Sequence, residues 1–171
     1  RYLIQGVVMD MHDGKRNLTA LATNQARKNY MQEVNAQTPL RFGAEKPRHT
    51  VTIFTDINCT YCRKLHNQMD SYASYGIAVN YLMFPRKGLD SEGYRKAVAV
   101  WCSADREKAL TEAKLGKEVE AKDCANPVAE HYALGQKVGV NGTPAILLED
   151  GTLIPGFVPP AELAEQLDAA R

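Results

Sequence analysis

Val51-Thr52-Ile53-Phe54-Thr55-Asp56-Ile57-Asn58-Cys59-Thr60-Tyr61-Cys62-Arg63-Lys64-Leu65 is the stretch whose reading decides the fold. Its first part is β-branched and apolar, which favours a strand. Polar residues interrupt it, and two cysteines separated by two residues follow. Beyond Cys62 the apolar positions are Leu65, Met69 and Tyr72, a helical spacing. The stretch therefore predicts strand, short turn and helix, with Cys59 at the helix N-terminus and Cys62 one turn further in. Unpaired backbone N–H groups and the positive end of the helix dipole favour an anion at that position. A thiol that is ordinarily protonated becomes a usable nucleophile there, and the second thiol can close a disulfide with it.

Composition narrows the classes. The 171 residues suit one domain with an appendage, and the 44% hydrophobic and 24% charged content is that of an ordinary globular protein. A net charge of +1 argues against a nucleic-acid binder. No apolar run approaches the roughly 18–20 residues of a membrane helix. The start at Arg1, without a charged-then-apolar leader, fits either a removed signal or a fragment. Four cysteines (Cys59, Cys62, Cys102 and Cys124) fit two disulfides or a four-thiolate zinc site. A zinc ribbon needs two close-set pairs, and Cys102 and Cys124 are far apart, so no metal is expected. Haem attachment needs His after the second cysteine, where Arg63 stands. The four histidines lack metal-ligand spacing, and His66 is expected to be a partly exposed helix residue.

From the N-terminus, residues 1–11 look extended, and His12-Asp13-Gly14-Lys15 is a turn signal. No hairpin partner is evident, so this orphan strand suggests a preceding domain. Leu18 to Gln37 reads as a polar helix with a thin apolar face, of the kind that bridges domains through solvent. A basic loop through Lys46, Pro47, Arg48 and His49 reads as a solvated linker. Strand 50–55, the cysteine helix 60–74, a stop at Gly76 and a strand from Ile77 to Phe84 form a βαβ unit with a parallel pair. A helical insertion from Ser91 to Lys114 follows, carrying Cys102. Asn126 caps a helix that Pro127 opens and that runs to Val138. Gly142-Thr143-Pro144 leads into a strand 145–148, Asp150-Gly151 turns the chain into 152–154, and Pro160 opens a final helix.

A C-x-x-C motif beside a βαβ unit reads as a thioredoxin-like redox site. Gly142-Thr143-Pro144 stands where thioredoxin-like folds place a cis-proline, so Pro144 is predicted to be cis. FTDINCTYC, YLMFPRKGLDS, WCSADREKAL, HYALGQKVGVNGTPAILLEDGTLIPGF and the opening RYLIQG together resemble the DsbC/DsbG family of bacterial periplasmic disulfide isomerases, over essentially the whole chain. The resemblance implies an α/β thioredoxin fold with a helical insertion at about 90–126, preceded by a linker helix and a short N-terminal strand. Residues 1–14 would be the remnant of an N-terminal dimerisation domain, 15–46 the linker and 47–171 the catalytic domain.

The implied mechanism makes Cys59 the attacking thiolate on misoxidised protein substrates and Cys62 the resolving thiol, with Thr60, Tyr61, Thr143 and Pro144 around them. Cys102 and Cys124 would form the structural disulfide, contributing about 3 kcal/mol for a loop of that length. The implied partners are a DsbD-like membrane reductase and a second copy, with no cofactor and no nucleic acid, and the implied compartment is the periplasm. Three positions depart from familiar patterns. Thr60 replaces a common Gly, Arg63 replaces a common His, and Ile53 stands where thioredoxins bury an acid. Arg63 is expected to be exposed and Asp56 to cap the turn. Alternative functions are a DsbG-like protector of single cysteines or a redox-independent chaperone. DsbG proteins typically carry Pro after the first cysteine, and DsbA-like oxidases carry Val before the cis-proline, which places both further from this chain.

Overall fold

The computed structural model describes residues 5–12, 15–34 and 39–170. A five-stranded mixed sheet organises it, in the order β3-β5-β4-β6-β7. At its centre β4 (His49–Thr55) runs parallel to β5 (Ile77–Met83), Val51 opposite Val79 and Thr55 opposite Met83. β6 (Ala145–Leu147) pairs antiparallel with β4, and β7 (Leu153–Pro155) with β6. The outer strand β3 (Leu40–Gly43) runs antiparallel to β5.

Alternation along the central strands separates two cores. On one face Val51, Ile53, Val79, Tyr81 and Ile146 pack under the helices that follow the cysteines, the insertion and the last helix, α7 (Pro160–Ala169). On the other, Phe54, Leu82, Phe84 and Leu147 meet Leu134 and Val138 of α6 (Val128–Val138). At the edge of this second core Tyr30 and Met31 pack from α1 (Leu18–Val34).

Several expectations change. Met9–Asp10 (β1) does have a hairpin partner, Arg16–Asn17 (β2), with Met9 opposite Asn17 and Asp10 opposite Arg16. Residues 1–4, Asp13, Gly14 and 35–38 lie outside the described residues, as does the expected helix end at Gln37. The polar α1 is docked rather than only bridging through solvent. Arg27 Nε donates to the Val138 carbonyl at 2.8 Å, and Asn24 Nδ2 donates to Thr152 Oγ1 at 3.0 Å. Gly151, at φ +87, lets the β6–β7 turn approach the Asn24 backbone so closely that a Cβ would collide with the Asn24 carbonyl. The loop before β4 contains β3, and Arg48 and His49 are not a solvated linker. Arg48 binds Asp168 of α7 at 2.8 Å, while buried His49 meets the same carboxylate at 2.7 Å.

The single cysteine helix is two, α2 (Thr60–His66) and α3 (Met69–Ser74). The break lies where Gln68 N–H donates to the Leu65 carbonyl, a tighter, three-residue bond. The insertion likewise divides into α4 (Glu92–Trp101) and α5 (Arg106–Lys114), with Cys102 at the end of α4. Asn126 Oδ1 accepts from Val128 N–H, but the helix begins one residue later than expected, with Pro127 at its cap.

Candidate active site

Parallel pairing of β4 and β5 brings both of their C-terminal ends to one edge of the molecule, where the chain leaves β4 through Asp56, Ile57 and Asn58 into α2. Asp56, buried, holds this turn open. Its Oδ1 accepts the Asn58 N–H at 2.7 Å, and its Oδ2 accepts the Arg86 N–H and Nε at 3.0 and 3.1 Å. The expected turn-capping role is thus extended by a bridge to the residue after Pro85. Arg63 is half-buried, and its Nε donates to the Ile57 carbonyl at 3.0 Å. It braces the turn from the far side instead of facing solvent, as expected, or the sulfurs.

Cys59 occupies the N-cap of α2, and Cys62 lies inside its first turn, both as buried free thiols. Cys59 Sγ lies 3.1 Å from the Thr143 carbonyl, and the Thr143–Pro144 bond is cis. β6 starts directly after this bond, so its pairing with β4 sets Thr143 and Pro144 opposite the cysteine turn. Thr143 Oγ1 is buried against the dithiol. Beside it a shallow groove of about 340 Å³ runs along Thr143, Pro144, Leu153 and Pro155. Thr60 and Tyr61 project outward, Tyr61 60% exposed.

The two thiols differ in acidity. Cys59 is lowered from 9.0 to about 5, first by the hydrogen bond from Cys62, then by Thr143, the Cys62 backbone N–H and the Arg86 guanidinium, against the opposing effect of burial. Cys62 is pushed well above the ordinary thiol range by burial and by its bond to Cys59. One sulfur is therefore a thiolate at neutral pH and the other a protonated reserve.

Cys102 and Cys124 are bonded to each other, tying the end of α4 to the segment before α6. Trp101 packs edge-on against His131 at 5.2 Å. Among the described residues no cluster of His, Cys, Asp or Glu is arranged to hold a metal ion. No helix among them is long and apolar enough to cross a membrane.

Two residues near the site escaped the sequence reading, and a third is more buried than expected. Arg86 is placed by β5, whose end must lie beside that of its parallel partner β4. Lys114 lies at 2% exposure beneath the dithiol, and its Nζ donates to Thr55 Oγ1 at 2.8 Å. Its signal was available, because Ala109, Leu110 and Ala113 define the apolar face of α5 and Lys114 falls on it. His66 is buried rather than partly exposed, between Tyr81 Oη at 3.3 Å and Thr111 Oγ1 at 3.0 Å.

The chain matches the family model described as a thioredoxin-like domain over residues 41–171. It is 41% identical over 170 residues to the thiol:disulfide interchange protein DsbC of Escherichia coli K12, covering 98% of this chain and 70% of that protein. With the DsbC of Dickeya dadantii the identity is 40%, covering 99% of this chain and 69% of that one. A disulfide interchange protein from Neisseria gonorrhoeae, a solved structure, superposes with a TM-score of 0.66 at 30% identity, covering 75% of this chain and 94% of the other. With a thioredoxin fold built around an acidic Cys59 and a reserve Cys62, this chain belongs to the DsbC family of thiol:disulfide interchange proteins.

Proposed function

We propose that Cys59 is the nucleophile and Cys62 the resolving thiol of this protein disulfide isomerase, acting on misoxidised proteins in the periplasm. The observation that carries the assignment is the opposite displacement of the two thiols, Cys59 towards the thiolate and Cys62 towards the protonated form. The Cys59 thiolate attacks a sulfur of a substrate disulfide, forming a mixed disulfide and releasing the other substrate sulfur as a thiolate. A second substrate thiolate then displaces Cys59, which leaves a rearranged disulfide and no net oxidation. Alternatively, Cys62 attacks Cys59 and the substrate leaves reduced. The second route oxidises the dithiol, so a DsbD-like membrane reductase must restore it.

The groove beside Thr143 and Pro144 is assigned to the substrate chain near the attacked sulfur, and exposed Tyr61 to its opposite rim. The same reading assigns residues 1–14 to the end of an N-terminal dimerisation domain that pairs two copies, and 15–46 to a linker. It assigns 47–171 to the catalytic domain, with β3 carrying the sheet back to Leu40.

The test is refolding of a scrambled multi-disulfide protein under a glutathione buffer. Cys59→Ser abolishes recovery of the native pairing, whereas Cys62→Ser retains part of it and accumulates as mixed disulfide. Normal unscrambling by Cys59→Ser contradicts the assignment. Unchanged disulfides with efficient suppression of aggregation would favour the redox-independent chaperone. Selective reduction of a single oxidised cysteine would favour the DsbG-like protector.

A further inference from the structure

Lys114 is a fully buried cationic side chain with an unusual lack of partners. Its one hydrogen bond among the described residues goes to the neutral Thr55 hydroxyl, while an ammonium carries three donors. Asp56, the carboxylate facing it, is engaged by Arg86 instead. The Tyr81 ring lies 5.4 Å away and supplies a π-face. A buried ammonium so poorly compensated is costly unless an anion lies near it. The groups facing it are Cys59 at the N-cap of α2, Cys62, Arg63 and His66 of α2, Asp56 of the turn and Tyr81 of β5. Of these, the two sulfurs are the ones whose charge changes during the reaction.

We propose that Lys114 is a positioning and proton-accepting residue for Cys62, the group that switches the mixed disulfide from waiting to resolving. This rests on the assignment of Cys59 as the nucleophile. While Cys59 is bound to substrate its thiolate is gone, so one of the anions that hold Lys114 protonated is lost and the neutral amine becomes more populated. The Cys62 Sγ–H proton passes to the amine, giving a transient Cys62 thiolate beside a Lys114 ammonium, whose mutual attraction offsets part of the cost of burying both charges. Cys62 Sγ then attacks Cys59 Sγ. The Cys59–substrate bond breaks, and the substrate sulfur leaves with the bonding electron pair and takes up a proton. The dithiol is oxidised and the substrate disulfide reduced by two electrons. Burial lowers the Lys114 ammonium to about 8, against the thiolates and Asp56, which raise it. The amine is thus within reach near neutral pH. Thr55 at the end of β4 fixes the Nζ position, and α5 delivers the lysine from the helical insertion, which gives that insertion a part in the chemistry.

The experiment is stopped-flow reaction of the reduced chain with dithionitrobenzoate, an aromatic disulfide that releases a coloured thiolate at each step. The first phase reports attack by Cys59 and the second resolution by Cys62. In the unaltered chain the second phase accelerates with pH through an inflection below about 8, the value Lys114 has while the Cys59 thiolate is present. In Lys114→Met it slows on the order of 100-fold and loses that inflection, the usual scale for a lost proton acceptor. The first phase stays within about 3-fold, because the thiolate of Cys59 is made by other groups. Lys114→Gln, which keeps a donor for Thr55 but accepts no proton, behaves like Lys114→Met. A normal first phase in each variant reports an intact site. A second phase of unaltered rate and pH profile in either variant overturns the role of Lys114. A first phase that survives Cys59→Ser instead overturns the assignment of the nucleophile.

Discussion

At the scale of single residues the molecule keeps two imidazoles uncharged. His66 and His131 are both buried, and burial lowers each from 6.5 to about 4, with the Lys114 ammonium adding to the effect on His66. His131 Nδ1 accepts from the Met83 N–H, a bond that requires the neutral ring. A folded pKa below the unfolded one means that the unfolded chain binds more protons between the two values. The stability these histidines contribute is therefore complete above about 6.5 and is lost as pH falls through about 4. The reduced dithiol adds a loss of the same sign as pH falls through about 5, where Cys59 protonates. Oxidising Cys59 and Cys62 to a disulfide removes that contribution, and Lys114→Met removes the titration of the lysine, so the two changes together isolate the histidines. Urea midpoints of the oxidised Lys114→Met chain are expected to hold steady from pH 8 to 7 and to fall steadily from pH 6 to 4. A midpoint that stays level across the lower interval contradicts neutral, buried imidazoles.

Among the elements, α6 carries the closest packing. A Cβ on Gly135 would collide with the Phe84 ring and come within 3.2 Å of Phe54, so the absence of a side chain is what lets α6 lie on the sheet. Gly135→Ala is expected to destabilise by about 1–3 kcal/mol, the usual cost of overpacking, despite alanine's better helix propensity. Chemical denaturation measures this, and an increase in stability contradicts the packing. What was legible in the chain follows the same division between local and distant causes. The β4–turn–α2 unit, the parallel β5 and the strands after Pro144 announce themselves through runs of apolar residues and turn chemistry. β3 did not, because Leu40-Arg41-Phe42-Gly43 is only four residues long and acquires strand geometry from the edge of β5. The break between α2 and α3 has no proline or glycine to mark it. In the site, the cysteine turn and Thr143-Pro144 could be read locally. Arg86 and Lys114 could not be joined to it without knowing that β5 ends beside β4 and that α5 packs below α2.

For the whole molecule, the placement of one reactive sulfur is the common result of these contacts. The parallel strands supply the edge, Asp56 and Arg86 hold the turn, and β6 sets Thr143 against Cys59. The insertion places a lysine below Cys62, and its Cys102–Cys124 disulfide ties α4 to the approach of α6. The docked α1 adds Arg27 and Asn24 bonds to the opposite face, so this helix shares the frame of the sheet. All of this implies a strong asymmetry between two thiols three positions apart. The measurement that tests it most directly is alkylation of the reduced chain by limiting iodoacetamide across a pH series, with peptide mapping of the modified sulfur. Cys59 is predicted to react first at every pH, with a midpoint near 5, while Cys62 stays unmodified at neutral pH. Preferential modification of Cys62, or a Cys59 midpoint near the ordinary 9.0, would contradict the account.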